Sequence, residues 1–190
     1  MMPSMDQAGL DCFKQTLQNS QCYLEYGCGG STVYAANTAK IKNIISIESD
    51  QNWAKQITEM LSNSSLLLEH CDIGPVKEWG FPKNKDQIEN FYKYTITPWQ
   101  IASQHKLTPD TVLIDGRFRV AAFLYSLLCA KEGVTILFDD YYEPRPHYYV
   151  VEEFCPVKEQ RGRMAVFRVQ KNYSVEKLTA KIAEYIIDPR

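Results

Sequence analysis

Several signatures of specialised protein classes are missing from this chain. No apolar run approaches the length needed to cross a bilayer, so no membrane span is expected. The first twenty residues carry Asp6 and Asp11 and lack an apolar stretch, so no secretory leader is read there. Neither sign of charge is in excess: 21 Lys and Arg stand against 23 Asp and Glu, a formal charge of −2. Without a basic stripe, nucleic acid is disfavoured as a partner. The six cysteines, Cys12, Cys22, Cys28, Cys71, Cys129 and Cys155, include no C-x-x-C pair. Only three histidines occur, His70, His105 and His147, and none lies at ligand spacing from a cysteine, so a zinc site is not expected. Scattered cysteines in a chain of this size point to reduced, mostly buried thiols and a cytoplasmic protein. No internal repeat or low-complexity linker interrupts the chain. What remains is 190 residues with 45% hydrophobic content, enough for one domain with a sizeable core.

The chain is organised around Glu25-Tyr26-Gly27-Cys28-Gly29-Gly30-Ser31-Thr32, preceded by Tyr23 and Leu24. An apolar and aromatic lead-in followed by three glycines in four positions reads as a strand that stops abruptly. A helix over residues 31–39 is expected next, with Ser31 as its N-cap. Glycine at such a corner lets a ligand approach the backbone, and the helix N-terminus offers unpaired N–H groups. A dinucleotide fingerprint requires glycine at the first, third and sixth positions. Gly27 and Gly29 fit, but the sixth position is Thr32, and no lysine is present to make a phosphate-binding loop. A tight turn with no ligand is the alternative. Cys28 reads as a small side chain tolerated in the turn.

Along the chain, Leu10, Phe13 and Leu17 mark an amphipathic helix over residues 5–19. Apolar runs at 43–48, 66–71, 111–115 and 133–139 read as buried parallel strands. Asp50 is an expected N-cap for a helix presenting Trp53, Ile57 and Met60 or Leu61. Residues 118–130 form the helix after the fourth strand. A short helix at 147–155 and a hairpin at 157–161 and 164–170 follow, and Ser174 caps a last helix carrying Val175, Leu178, Ile182 and Ile186. Residues 74–109 hold four prolines and the aromatics Trp79, Phe81, Phe91, Tyr92, Tyr94 and Trp99. That stretch reads either as a lid over the ligand crevice or as a satellite hydrophobic cluster. The pattern describes one α/β sandwich, parallel except near its end.

Acidic residues fall where such a sheet binds ligands. Glu48, Asp72, Asp115, Asp139 and Asp140 each sit at or just past the C-terminal end of an expected strand, and parallel strands present those ends to one edge. Glu48 is placed to accept both ribose hydroxyls of an adenosine cofactor, beside Ser49. Asp72 is placed to accept from the adenine amino group, with Ile73 packing on the ring. Arg117 and Arg119 straddle Phe118 at the same edge, where arginines fork onto a carboxylate or phosphate or pair with the aspartates. Tyr141 belongs to a 141–147 loop that could line an acceptor pocket. His147 in that loop reads more readily as exposed than as a base.

In their order and spacing, Glu25-x-Gly27-x-Gly29-Gly30, Glu48, Asp72 and Asp115 resemble the motifs of class I S-adenosylmethionine-dependent methyltransferases over residues 20 to 170. The resemblance implies a Rossmann-like seven-stranded sheet ordered 3-2-1-4-5-7-6 with strand 7 antiparallel. It implies S-adenosylmethionine held by Glu25, Gly27, Cys28, Gly29, Ser31, Glu48, Ser49, Asp72, Ile73 and Asp115, and a small-molecule methyl acceptor held by Arg117, Arg119 and Tyr141. The stretches Asp115-Gly116-Arg117-Phe118-Arg119 and Leu137-Phe138-Asp139-Asp140-Tyr141 are also similar to an uncharacterised bacterial-type group of methyltransferase-like proteins. Asp115, Asp139 and Asp140 look like the magnesium ligands of metal-dependent O-methyltransferases, with Asp115 and Asp140 ordering the acceptor hydroxyl. Asp140 stands where that family often has Asn, and the lysine base is replaced by arginines. The competing reading is that the arginines supply the positive charge. Two other classes remain open: a nicotinamide-dependent oxidoreductase, and a non-catalytic protein that keeps the cofactor fold.

Overall fold

Strands apolar on both faces and helices apolar along one stripe assemble into three layers. The computed structural model describes residues 1–61, 66–142 and 144–190. Its first half contains α1 (Gln7–Leu17), β1 (Cys22–Tyr26), α2 (Gly30–Asn37), β2 (Asn43–Glu48), α3 (Gln51–Glu59) and β3 (Leu66–His70). A two-stranded ribbon, β4 (Val76–Lys77) and β5 (Phe81–Pro82), leads to α4 (Phe91–Gln104), β6 (Thr111–Ile114), α5 (Arg119–Cys129) and β7 (Thr135–Phe138). The chain ends with a 3-10 helix (Pro146–Glu153), the hairpin β8 (Val157–Arg161) and β9 (Met164–Arg168), and α6 (Val175–Tyr185). The main sheet runs β3-β2-β1-β6-β7-β9-β8, with β9 antiparallel to both neighbours. Leaving out the ribbon, this is the expected order 3-2-1-4-5-7-6 with the seventh strand antiparallel.

Alternation along the strands divides the core. Leu24, Tyr26, Ile45, Ile47, Val112 and Ile114 face one way and pack with the buried faces of α4, α5 and α6. Tyr23, Ile44, Leu113 and Leu137 face the other, against Phe13 and Leu17 of α1 and Ala35 and Ala36 of α2. Asp50 caps α3 through the N–H groups of Asn52 and Trp53, and Ser174 caps α6 through that of Lys177, as the sequence leads one to expect. On α6 the stripe is narrower than expected: Leu178 and Ile182 are buried, whereas Val175 is exposed.

The aromatic stretch 74–109 divides into two parts. Its helical half, α4, is core: Phe91, Tyr94, Thr95, Trp99 and Ala102 are buried, and Trp99 Nε1 donates to Ser126 Oγ of α5 at 3.1 Å. The ribbon half lies at the strand-end edge, and Trp79 at its tip is 84% exposed. This division predicts a large contrast in stability. Trp99→Ala should cost about 3–5 kcal/mol by opening a cavity, whereas Trp79→Ala should stay within about 0.5 kcal/mol. Urea denaturation of the two variants checks the contrast, and equal losses would contradict it.

Candidate functional site

Sheet register brings the strand ends into line. Tyr26 pairs with Ile47 on one side and Ile114 on the other, and Ile114 pairs with Phe138. One residue further on, Gly27, Glu48, Asp115 and Asp139 form a row across four neighbouring strands. Main-chain bonds hold the row: Gly27 N–H to Ile47 O at 3.0 Å, Asp115 N–H to Tyr26 O at 3.1 Å, and Asp139 N–H to Ile114 O at 3.1 Å. Asp72 stands apart from it, exposed in a turn where its carboxylate accepts the Gly74 N–H at 2.9 Å, while Ile73 beside it is buried.

At the glycine corner, Gly27 has φ 88°, and a Cβ there would meet Gly116 Cα at 2.8 Å. The loops after β1 and β6 thus touch backbone to backbone. The helix α2 begins at Gly30 with Gly29 as its N-cap, so Ser31 is not the cap. Its hydroxyl has a stronger acceptor: it donates to the fully buried Glu25 at 2.8 Å. Glu25 also accepts from the hydroxyls of Tyr23 at 2.8 Å, Ser46 at 3.0 Å and Thr32. Thr32 Oγ1 in turn accepts the Gly29 N–H at 2.8 Å. One carboxylate therefore ties β1 to α2 and β2, beneath the corner rather than on its ligand side. Burial pushes the Glu25 carboxyl up to about 7, although four hydroxyl donors favour its charge.

Glu48 is 7% exposed and accepts the N–H groups of Cys28 at 3.2 Å, Ser49 at 2.7 Å and Asp50 at 2.9 Å. Burial raises its carboxyl against those donors. The Cys28 carbonyl accepts from Trp53 Nε1 at 2.8 Å, which fastens the corner to α3. Burial and the nearby Glu48 and Glu25 push the Cys28 thiol up, so it is an inert side chain. Ser49 Oγ donates to Gly80 O at 2.9 Å, and Gly80, with φ 68°, leaves no room for a Cβ against Ser49 and Glu48. The ribbon thus rests on the Glu48 end of the crevice. At the start of α2 the main chain of Met2 and Pro3 lies against Gly30. Sequence reasoning missed both contacts, because each glycine is required by a segment distant in the chain.

Beyond the corner the aspartates meet arginines. Arg119 is buried, and its guanidinium donates to the main-chain oxygens of Gly116, Asp115 and Asp139 and to the Asp115 carboxylate at 3.0 Å. Arg163 reaches Asp140 at 2.7 Å and Asp139 at 3.6 Å, and Arg145 reaches Asp140 at 3.1 Å. Arg117 lies under the Phe81 ring, 5.8 Å from its centroid, with a buried Nε that lacks a hydrogen-bond partner. Burial raises the Asp115 and Asp139 carboxyls, Asp115 against Arg119 and Asp139 in concert with its acidic neighbours. Tyr141 is fully buried among Phe138 and Phe167, and its hydroxyl donates to Glu152 at 2.9 Å. Within the 141–147 loop Glu143 lies outside the described residues. His147 is partly buried, not simply exposed, and its Nε2 has no hydrogen-bond partner. Three residues outside glycine with positive φ cluster at this edge: Trp79, Phe118 and Asp140. Such strain in bulky residues gathers where function is held. An open cleft of about 570 Å³ occurs at the opposite edge, lined by Asp110, Lys131 and Arg168 among others, and none of the strand-end carboxylates reaches it.

The chain is 31% identical to a methyltransferase-like protein from Silicibacter pomeroyi, with a TM-score of 0.87 over 98% of this chain and 97% of that one. It belongs to the class I S-adenosylmethionine-dependent methyltransferase family. Two more distant members of this fold carry S-adenosylhomocysteine. The N-methyltransferase NodS from Bradyrhizobium japonicum has a TM-score of 0.51 at 11% identity, over 87% of this chain and 90% of that one. An RNA methyltransferase from Salinibacter ruber has a TM-score of 0.51 at 12% identity, over 92% and 97%. No protein-family model matches the sequence, and no curated protein does.

The magnesium implied by the likeness to metal-dependent O-methyltransferases does not suit this member of the family. Asp115, Asp139 and Asp140 each already have an arginine as counter-charge, and hard-cation coordination would have to displace those guanidinium groups. Among the described residues no group of three His, Cys, Asp or Glu side chains is placed to hold a metal ion. Among those residues, too, no helix is long and apolar enough to cross a membrane.

The buried carboxyl at the corner has a consequence for stability. The folded state raises the Glu25 pKa from 4.5 to about 7, so it binds the proton more tightly than the unfolded chain does. The stability linked to this group is fully present below about pH 4.5 and is lost as pH rises through about 7. Melting temperature should therefore slope downward with pH across that window, and Glu25→Gln should flatten the slope. Some slope will persist, since Asp139 shifts in the same direction. Parallel curves for the two proteins would contradict the assignment.

Proposed function

We propose that the protein binds S-adenosylmethionine along the row Gly27, Glu48, Asp115 and transfers its methyl group to a small-molecule acceptor. The observation that carries this reading is the sheet register, which brings the glycine corner and the strand-end carboxylates to one edge. Gly29 leaves room for the donor to come close to the main chain of the corner, which Gly27 and Cys28 complete. Glu48, beside Ser49, accepts the ribose hydroxyls, and the exposed Asp72 carboxylate receives the adenine, while Ile73 beneath it is part of the core. Glu25 and Ser31 serve the donor from beneath, by holding the corner in shape. The sulfonium methyl is already activated, so the protein's task is mainly to align it with the nucleophile. Charge is dispersed as donor and acceptor meet, which favours a crevice poor in water. The partly exposed carboxylates of Asp115 and Asp140 order the acceptor. An acceptor hydroxyl, giving O-methylation, suits two carboxylate acceptors. The charge of −2 without a basic stripe supports a small molecule over nucleic acid.

A nicotinamide reading is weakened by Thr32. Its side chain fills the place of the third glycine and donates to Glu25, where a dinucleotide corner needs the helix to come close. Calorimetry with S-adenosylhomocysteine tests the proposal. Wild-type protein should bind it, and NAD should not register. Glu48→Ala should weaken binding about tenfold or more through loss of charge-assisted hydrogen bonds. Because Glu48 also holds three loop N–H groups, Glu48→Gln is the milder companion, and its melting curve separates folding from binding. Absence of binding by the wild type would remove the proposal.

A further inference from the structure

We propose that Arg117 anchors an anionic group, a carboxylate or phosphate, on the methyl acceptor. The inference rests on the reading of the crevice as a methyl-transfer site and narrows its substrate class. Charge matching carries it. Three side-chain carboxylates stand at this part of the edge, Asp115, Asp139 and Asp140, and three arginine side chains answer them, Arg119, Arg163 and Arg145. The Arg190 carboxyl oxygen accepts the Arg119 main-chain N–H at 2.9 Å. Arg117 is the fourth arginine, and among the described residues no carboxylate pairs with it. It is half-buried, and its Nε–H is shielded from water with no acceptor. A guanidinium that has lost part of its hydration without gaining an ion pair is costly, and an incoming oxyanion removes that cost.

The surroundings fix where the anion would lie. The Phe81 ring of the ribbon covers the guanidinium from one side, and the Arg117 N–H donates to Tyr94 Oη at 3.3 Å. Tyr94 is fully buried, so the backbone carrying Arg117 is set by the core. Burial and the neighbouring Arg119 lower the Arg117 pKa, the direction that a bound anion would reverse. Arg119, two residues along, cannot take this role: its guanidinium is buried and already holds the ends of β6 and β7 together. A planar fork suits a carboxylate or phosphate, which it grips with two parallel hydrogen bonds.

The donor also has a carboxylate, so the test must separate the two sources. Calorimetry on protein saturated with S-adenosylhomocysteine would use benzoate and inorganic phosphate as probes, with wild type, Arg117→Met and Arg117→Lys. The expected result is that wild type binds at least one probe and that Arg117→Met weakens it about tenfold or more. Arg117→Lys should retain part of the affinity, and neither variant should melt below the wild type. Failure of the wild type to bind either probe, or equal binding by Arg117→Met, would overturn the proposal. A second arm compares S-adenosylhomocysteine with methylthioadenosine, which lacks the amino-acid carboxylate. If Arg117→Met abolishes the preference for S-adenosylhomocysteine, the arginine serves the donor and the proposal falls. Repeating the probe titration without donor keeps the two readings apart. Arg117-dependent probe binding by a protein that ignores S-adenosylhomocysteine would overturn the methyl-transfer reading and leave an oxyanion site standing.

Discussion

The site depends on one buried carboxylate. Glu25 sits in the second layer beneath the glycine corner, and hydroxyls from Tyr23, Ser31, Thr32 and Ser46 converge on it. An ionisable group at that depth is tolerable only when its lone pairs are satisfied. Satisfying them brings the first turn of α2 down onto the ends of β1 and β2. The corner above is then held with Gly27 against the Gly116 backbone and Gly29 free of close neighbours. Glu48 completes the frame from the side, through three N–H groups of the adjoining loops. The two glutamates have different duties: Glu25 supports the corner from beneath, and Glu48 ties the loops after β1 and β2 together.

The second half of the edge is ruled by charge balance. Arg119 stitches the ends of β6 and β7 through main-chain oxygens, while Arg163 and Arg145 hold the pair after β7. Positive φ at Phe118 and Asp140 shows that these corners are held in shape by their surroundings rather than by local preference. Carboxylates that read as a metal site in the sequence form an ion-pair network here, because the neighbouring residues are arginines. The same network leaves Arg117 without a carboxylate partner among the described residues.

Much of the fold could be read from residues alone, for identifiable reasons. Buried parallel strands are continuous apolar runs, and the caps Asp50 and Ser174 act on N–H groups two or three residues away, so both signals are local. The strand-end carboxylates were legible because strand direction alone assigns them to one edge. What escaped depends on partners far along the chain. Ser31 looks like a cap until Glu25 is seen below it. Gly30 reads as part of the ligand corner, and Gly80 carries no signal, until Met2, Pro3 and Ser49 are found against them. In 74–109, Pro98 and dense aromatics left a lid and a satellite cluster equally readable; α4 is core, whereas Trp79 at the ribbon tip is exposed. Arg117 and Arg119 could not be told apart in sequence, since burial and side-chain direction separate them.

A crystal structure with S-adenosylhomocysteine bound tests the central claim most directly. The account predicts the ligand across the row Gly27, Glu48, Asp115, with both ribose hydroxyls on the Glu48 carboxylate and the Gly80 carbonyl moved off the crevice. Glu25 should keep all four of its hydroxyl partners. A ligand bound elsewhere, or a ribose that does not reach Glu48, would contradict it.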